Sequence, residues 1–283
     1  MRTPESAPPA TLDNSRSYRL SSSRTGEVYR IDVALPFASP QAAPPQQDRG
    51  RATPPPVVYV LDGNGMFAMA AQAARLMQLD QNLPPLLIVG IGYDTASFET
   101  VLARRRHDLT PVPGRLPTEE LGAGGGADDF LAFIREEVQP HVATQFDVDA
   151  QDSTLVGDSL GGLFALHALF TAPSSFTRYV AGSPSLWWGN GVAFREEAEC
   201  AERGAGPRAR LFMSVGALEE HPTAEHLRPF AMVSNLERLA GILRARSYPN
   251  LAFETVVFPS ETHTSVVPAT ISRGLRSVFA NGV

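Results

Sequence analysis

Six short apolar runs recur along this chain: "VVYVLDG" (Val57 to Gly63), "LLIVGIGY" (Leu86 to Tyr93), "STLVGDS" (Ser153 to Ser159), "FTRYVAGS" (Phe176 to Ser183), "RLFMSVGA" (Arg210 to Ala217) and "LAFETVVFP" (Leu251 to Pro259). Strands this continuously apolar are buried on both faces, and helical segments lie between them. That alternation calls for a mostly parallel sheet with helices on both sides, an α/β architecture. The helical period is plain in "ADDFLAFIREEVQPHVA", where Phe130, Leu131, Ile134, Val138 and Val142 fall on one face at steps of three or four. Ahead of the first run, "RSYRLSSS" and "GEVYRIDVALP" alternate apolar and polar residues as half-buried strands do, and read as an edge hairpin or a strand pair.

The 283 residues suit one α/β domain over 16–283, preceded by a polar, proline-bearing segment at 1–15 expected to be disordered. The stretch from Ala38 to Pro56, rich in proline and glutamine, has almost nothing to bury and reads as an exposed loop. Two long connections stand out, Asp94 to Gly126 and Ser183 to Arg208. In this architecture they border the crevice at the carboxyl ends of the strands. A net charge of −6 argues against nucleic acid as a partner. Cys200 is the single cysteine, so there is no intramolecular disulfide and no thiolate pair for a metal. Neither a signal-peptide core nor a bilayer-length apolar window is present, so no membrane association is expected. The expected compartment is the cytoplasm, or the periplasm if a signal has been removed.

Within "STLVGDSLGGLFALHALF" the residues Gly157, Ser159 and Gly161 form GxSxG between an apolar strand and an apolar helix. That is the setting of a nucleophile elbow: a strained turn projects the serine hydroxyl while small neighbours let the two backbones approach, and Gly162 adds room in the first helical turn. The helix starting there also presents free N–H groups, among them that of Leu160, to developing negative charge. A serine hydroxyl needs a base, and in α/β-hydrolases the order along the chain is serine, acid, histidine. Of six histidines, His263 stands in the loop after the last strand and before a closing helix. His167, two turns beyond Ser159, reads as a packed or rim residue. His141 belongs to the amphipathic helix, and His221 and His226 sit in a polar segment with no supporting position. The acid belongs after the penultimate strand, where "SVGALEE" offers Glu219 or Glu220. Glu219 is preferred because a short turn from Gly216 returns its carboxylate toward the histidine loop. Asp158 precedes the nucleophile and points elsewhere on the elbow. The second oxyanion donor is expected from "LDGNGMF", through the N–H of Gly63 or Asn64. This chemistry needs no cofactor and no metal, and its partner is a small-molecule ester.

Taken in order, "YVLDGNGMF", "RRRHDLTP", "GDSLGG", "GSPSLWW", "SVGALEE" and "ETHTSVVP" resemble the enterochelin (siderophore trilactone) esterases within the esterase-D-like α/β-hydrolases, from Val57 to the C-terminus. The resemblance implies a serine esterase that opens a tri-catecholate macrolactone such as enterobactin, ferric or iron-free, and so aids iron release. It supports Ser159 and His263, with Gly63, Asn64 and Leu160 around the oxyanion, and it includes members that work as serine–histidine dyads. It also places basic residues of the "RRRHDLTP" run, Arg105 and Arg106, and the aromatic pair Trp187 and Trp188 at the substrate, where guanidinium groups suit anionic oxygens and indoles stack on catechol rings. Rivals are a general short-chain carboxylesterase of the same fold and a non-catalytic siderophore-binding protein.

Overall fold

The alternating segments at the start of the chain become β1 (Ser15–Ser21) and β2 (Val28–Ala34), an antiparallel pair at one edge of an eight-stranded sheet. The computed structural model describes residues 11–37, 54–116, 119–120, 124–204 and 206–280. Most of the expected disordered start and of the loop from Ala38 therefore lies outside the described residues. At the near end of the start, Ser15 Oγ donates to the Leu12 carbonyl at 2.6 Å and leads directly into β1.

The six apolar runs form the remaining strands: β3 (Pro56–Val60), β4 (Leu87–Tyr93), β5 (Asp149–Asp158), β6 (Arg178–Gly182), β7 (Ala209–Gly216) and β8 (Leu251–Phe258). Their spatial order is β1-β2-β4-β3-β5-β6-β7-β8, parallel throughout except where β2 meets β1 and β4. Period-two alternation divides each buried strand between two cores. Val57 and Tyr59 face one, with Leu155, Leu163 and Phe164, while Val58 and Val60 face the other, with Ala70, Ile271 and Leu275. The second core is roofed by α1 (Gly63–Leu79) and α8 (Val267–Phe279), and the first by the helices that follow β4 through β7. This is the doubly covered sheet that the apolar runs require.

Three helices differ from the sequence expectation, each for a physical reason. The single helix read at 127–143 is α3 (Ala127–Phe133), a π-turn (Ile134–Val138) and α4 (Gln139–Gln145). Pro140 has no N–H for the i−4 carbonyl, and the widened turn accommodates its ring. The connection after β4 holds α2 (Phe98–Asp108). Its N-cap Ser97 accepts from the Thr100 N–H at 3.2 Å, and Arg105, Arg106 and His107 fill its last turn, so capping and dipole complementarity stabilise it where apolar periodicity is weak. The connection after β6 holds α6 (Trp188–Glu202), whose start is obscured by three left-handed residues, Gly189, Asn190 and Gly191. The last two helices of the first core are α5 (Leu160–Thr171) and α7 (Met232–Arg246). Among the described residues no helix is long and apolar enough to cross a membrane.

His167 joins three of these helices. From α5 its Nδ1 meets Glu196 Oε1 of α6 at 2.8 Å, and its Nε2 meets Asp128 Oδ1 of α3 at 3.1 Å. Burial opposes its charge, but the bonds and charges of Asp128 and Glu196 outweigh that and raise its pKa to about 9. A folded-state pKa above the unfolded value means stability that is full below pH 6.5 and lost as pH rises through about 9. Chemical denaturation across this window should show a fall on the order of 2–3 kcal/mol in the wild type. The slope should be absent in His167→Gln, and an equal slope in that variant would remove the assignment.

Candidate active site

Strand β5 runs out at Asp158 and α5 begins at Leu160, leaving Ser159 alone at the turn with φ 60° and ψ −116°. A non-glycine residue there is strained and persists only when its surroundings impose it. The backbone on both sides does so: the Ser159 N–H donates to the Gly182 carbonyl at 2.9 Å, and the Ser185 N–H donates to the Ser159 carbonyl at 3.1 Å. Two glycines make this approach possible. A Cβ on Gly157 would stand 2.2 Å from the Gly161 carbonyl oxygen, and one on Gly162 would stand 2.4 Å from that of Gly182. At Gly161, the last letter of the motif, the nearest atom would be at an ordinary 3.5 Å, so Gly162 is the residue downstream of the serine that steric crowding requires.

His263 occupies the loop between β8 and α8. The loop crosses the end of β7 closely, with the Leu218 N–H donating to the Glu261 carbonyl at 2.9 Å, and Thr262 N–H donating to Ser265 Oγ at 2.9 Å. The one-turn 3₁₀ segment Ala217–Glu220 separates the two neighbouring carboxylates. Glu219 turns inward, 3% exposed, with its Oε2 2.5 Å from His263 Nδ1. Its Oε1 accepts from the Gly216 N–H at 2.7 Å and from the Ser183 hydroxyl at 2.6 Å. Glu220 turns outward and accepts from the Ser234 N–H in the first turn of α7 at 2.7 Å, which places it on a helix start, away from the histidine. Burial alone would lower the His263 pKa, but the bond and charge of Glu219, aided by Asp158 and opposed by Arg105, raise it above its usual 6.5.

Ser159 and His263 line one cavity of about 330 Å³, together with Ser185, Trp187, Leu218, Phe230 and Met232. Among the described residues the Ser159 hydroxyl has one side-chain hydrogen-bond partner, Ser185 Oγ at 3.5 Å. Gly63 and Asn64 open α1 and Leu160 opens α5, first-turn positions whose backbone N–H has no acceptor within its own helix. The Asn64 side chain is engaged with β4, accepting from the Tyr93 N–H at 2.6 Å and donating to the Tyr93 carbonyl at 2.9 Å. Burial raises the Asp158 pKa to about 7, with Glu219 and Asp62 adding to the rise and His263 and Arg105 opposing it. Among the described residues its Oδ1 has no hydrogen-bond partner. Among the described residues no group of three or more His, Cys, Asp or Glu is gathered as a metal site would need.

The four expected substrate contacts divide. Trp187 lines the cavity and stacks edge-on against Phe230 at 4.9 Å. Trp188 does not reach it. It is 1% exposed and donates its indole N–H to the Val112 carbonyl at 2.8 Å, so its role is packing under the "DLTPVPG" loop. Arg105 is turned into the protein, on Asp62 and the Asp158 carbonyl, and lines a second cavity of about 490 Å³ beside Asn64, Phe98 and Leu102. Arg106, in the last turn of α2, is half-buried and lines neither of these cavities. Sequence reasoning missed Ser183, which steadies Glu219, and Ser185 at the nucleophile, although both stand in the "GSPSLWW" segment. It also missed Leu218, Phe230 and Met232, whose apolar character reads as ordinary core.

The strand order, the elbow on β5 and the closing loop before α8 define an α/β-hydrolase. The chain belongs to the Esterase family, described as "Putative esterase", whose model matches residues 22–248, and it is an ester hydrolase. It is 36% identical to the siderophore triacetylfusarinine C esterase of Aspergillus fumigatus, over 96% of this chain and 95% of the relative. It is 31% identical to the ferri-bacillibactin esterase BesA of Bacillus subtilis, over 94% of this chain and 90% of the relative. Among solved structures, the siderophore hydrolase EstB from Aspergillus nidulans superposes with a TM-score of 0.82 at 32% identity, covering 97% of this chain and 98% of that one.

Proposed function

We propose that the protein hydrolyses the ester bonds of a siderophore, with Ser159 as nucleophile, His263 as general base and Glu219 as the acid that orients it. The observation that carries this reading is the 2.5 Å bond between Glu219 and His263 at a cavity that also exposes the elbow serine. Ser159 attacks the ester carbonyl as His263 takes its proton. The oxyanion rests on the N–H groups of Leu160 and of Gly63 or Asn64. Protonated His263 releases the alcohol, and water activated by the same imidazole clears the acyl-enzyme. Glu219 keeps the Nδ1 proton in place so that Nε2 remains the basic nitrogen.

For the substrate, the finer reading is a tri-catecholate trilactone. It is supported by the aromatic and apolar lining at Trp187 and Phe230, suited to stacking arenes, and by a 30% identical relative from Emericella nidulans named as a siderophore enterobactin esterase. One observation favours a second reading. Among the described residues, those lining the Ser159 cavity include no lysine or arginine, whereas a ferric tri-catecholate is multiply anionic. Triacetylfusarinine C, named for the relative from Aspergillus fumigatus, is therefore the second compound to offer.

The test is a product time course by chromatography with mass detection on ferric and iron-free enterobactin, triacetylfusarinine C and a butyrate ester. Linear and monomeric products from a siderophore, formed with much higher kcat/KM than butyrate cleavage and absent with Ser159→Ala, are expected. Rapid butyrate cleavage with every siderophore untouched would make this a general carboxylesterase, and tight siderophore binding without cleavage would make it a binding protein.

A further inference from the structure

Arg105 is the residue whose placement departs furthest from its expected role. Its Nε donates to Asp62 Oδ1 at 2.8 Å and its Nη2 donates to the Asp158 carbonyl at 3.2 Å. Both partners of the ion pair are largely shielded, with side chains 19% and 17% exposed. Asp62 is the hinge residue between β3 and α1. It adopts a left-handed conformation (φ 52°), its carbonyl accepts from the Gly65 and Met66 N–H groups, and its carboxylate makes no capping bond to the helix it precedes. The carboxylate instead reaches across: Oδ2 would lie 3.5 Å from a Cβ on Gly161.

These contacts fall on both halves of the oxyanion pocket. Asp62 immediately precedes Gly63 and Asn64, whose N–H groups form one half, while Asp158 and Gly161 bracket Ser159 and Leu160, which form the other. The Asn64 side chain already fixes the outer side of the first loop to Tyr93 of β4. The Leu61 N–H donates to the Val156 carbonyl at 2.9 Å and holds the strand below. What remains to be set is the separation between the loop tip and the elbow, and the guanidinium–carboxylate pair spans it. We propose that the Arg105–Asp62 ion pair clamps the two halves of the oxyanion hole at their working distance, making Arg105 a positioning residue and not a substrate ligand. The inference rests on the serine-esterase reading above.

An oxyanion hole acts only when its donors stand at hydrogen-bond distance from the transition-state oxygen, and a displacement near 1 Å costs about a hundredfold in rate. Arg105→Met should therefore lower kcat about 10- to 100-fold with KM changed less than about threefold. The loss should be the same on a small neutral butyrate ester as on a siderophore. Asp62→Asn should lose as much, and the double variant should lose no more than either single one, because the two side chains act as one unit. Arg105→Lys, which keeps the charge on Asp62 but not the fork, should recover part of the rate, and it replaces the methionine variant if that one does not fold. Because the Arg105 charge opposes protonation of His263, the pH midpoint of kcat/KM should move upward in Arg105→Met and stay at the wild-type value in Arg105→Lys. A raised KM for anionic siderophores with normal butyrate turnover would overturn the clamp and make Arg105 a substrate ligand. Additive losses in the double variant would also overturn it. If Ser159→Ala retains activity, the esterase reading itself has failed. If Ser159→Ala is inactive while the Arg105 and Asp62 variants turn over normally, only the clamp has.

Discussion

Ser159→Ala should lower the rate of ester hydrolysis about a thousandfold or more while leaving the fold and its stability essentially unchanged. The stability half follows from local geometry. Among the described residues the hydroxyl has one side-chain hydrogen-bond partner, Ser185 Oγ at 3.5 Å, and alanine meets the same positive-φ strain at this position as serine does. The backbone bonds that hold the turn, from Ser159 to Gly182 and from Ser185 to Ser159, involve no side-chain atom. The activity half follows from chemistry: without Oγ no acyl-enzyme forms, and the remaining rate is what the oxyanion donors lend to direct attack by water. Steady-state kinetics on one siderophore and one butyrate ester, beside a thermal unfolding curve, check both halves. Turnover within tenfold of wild type would contradict the nucleophile assignment.

Glu219→Gln carries the second large effect, a loss of roughly a hundredfold to ten-thousandfold in kcat. Glutamine is nearly isosteric and can still accept from the Gly216 N–H and the Ser183 hydroxyl, so the turn Ala217–Glu220 is retained. Its amide then donates to His263 Nδ1 where the carboxylate accepted. That moves the imidazole proton to Nε2, and the base loses the lone pair it needs for the serine proton. The variant also shifts the pH profile. In the wild type the charges acting on His263 are those of Glu219, which it contacts, Asp158 and Arg105. Burial lowers its pKa, and the carboxylates more than offset this, so activity rises with pH through a midpoint above 6.5 as the imidazole becomes neutral. Removing the Glu219 charge takes away the main raising influence, and the midpoint should move to lower pH. A fall in kcat of less than tenfold would mean that serine and histidine suffice as a dyad.

The parts of this molecule that were legible in sequence are those with local signatures. Five of the six apolar runs became inner strands because both faces of such a strand must be buried; the sixth, "LAFETVVFP", became the edge strand β8, which has no fully buried residue and leaves Val257 exposed, against the expectation of burial on both faces. The elbow was legible because a strand, GxSxG and a helix stand side by side in one stretch of chain. His263 was legible from chain order. Glu219 was preferred to Glu220 from the short turn after Gly216, and the four-residue 3₁₀ turn faces that way. One carboxylate reaches His263 and the other the start of α7. Trp187 and Trp188 were not told apart, since neighbouring residues at a helix start point in different directions and only the first reaches the cavity. Helix α2 lacks an apolar face. The role of its Arg105 depends on Asp62 and Asp158, 43 and 53 residues away in the chain, a relation no local pattern carries.

The most direct test of the central claim is active-site labelling with a fluorophosphonate, followed by intact-mass and peptide analysis alongside residual esterase activity. One adduct per chain is expected, on the peptide carrying Ser159, with hydrolysis lost in proportion to labelling and no adduct on Ser159→Ala. Full labelling of Ser159 with hydrolysis retained, or inactivation with the adduct on another residue, would contradict the assignment of Ser159 as nucleophile.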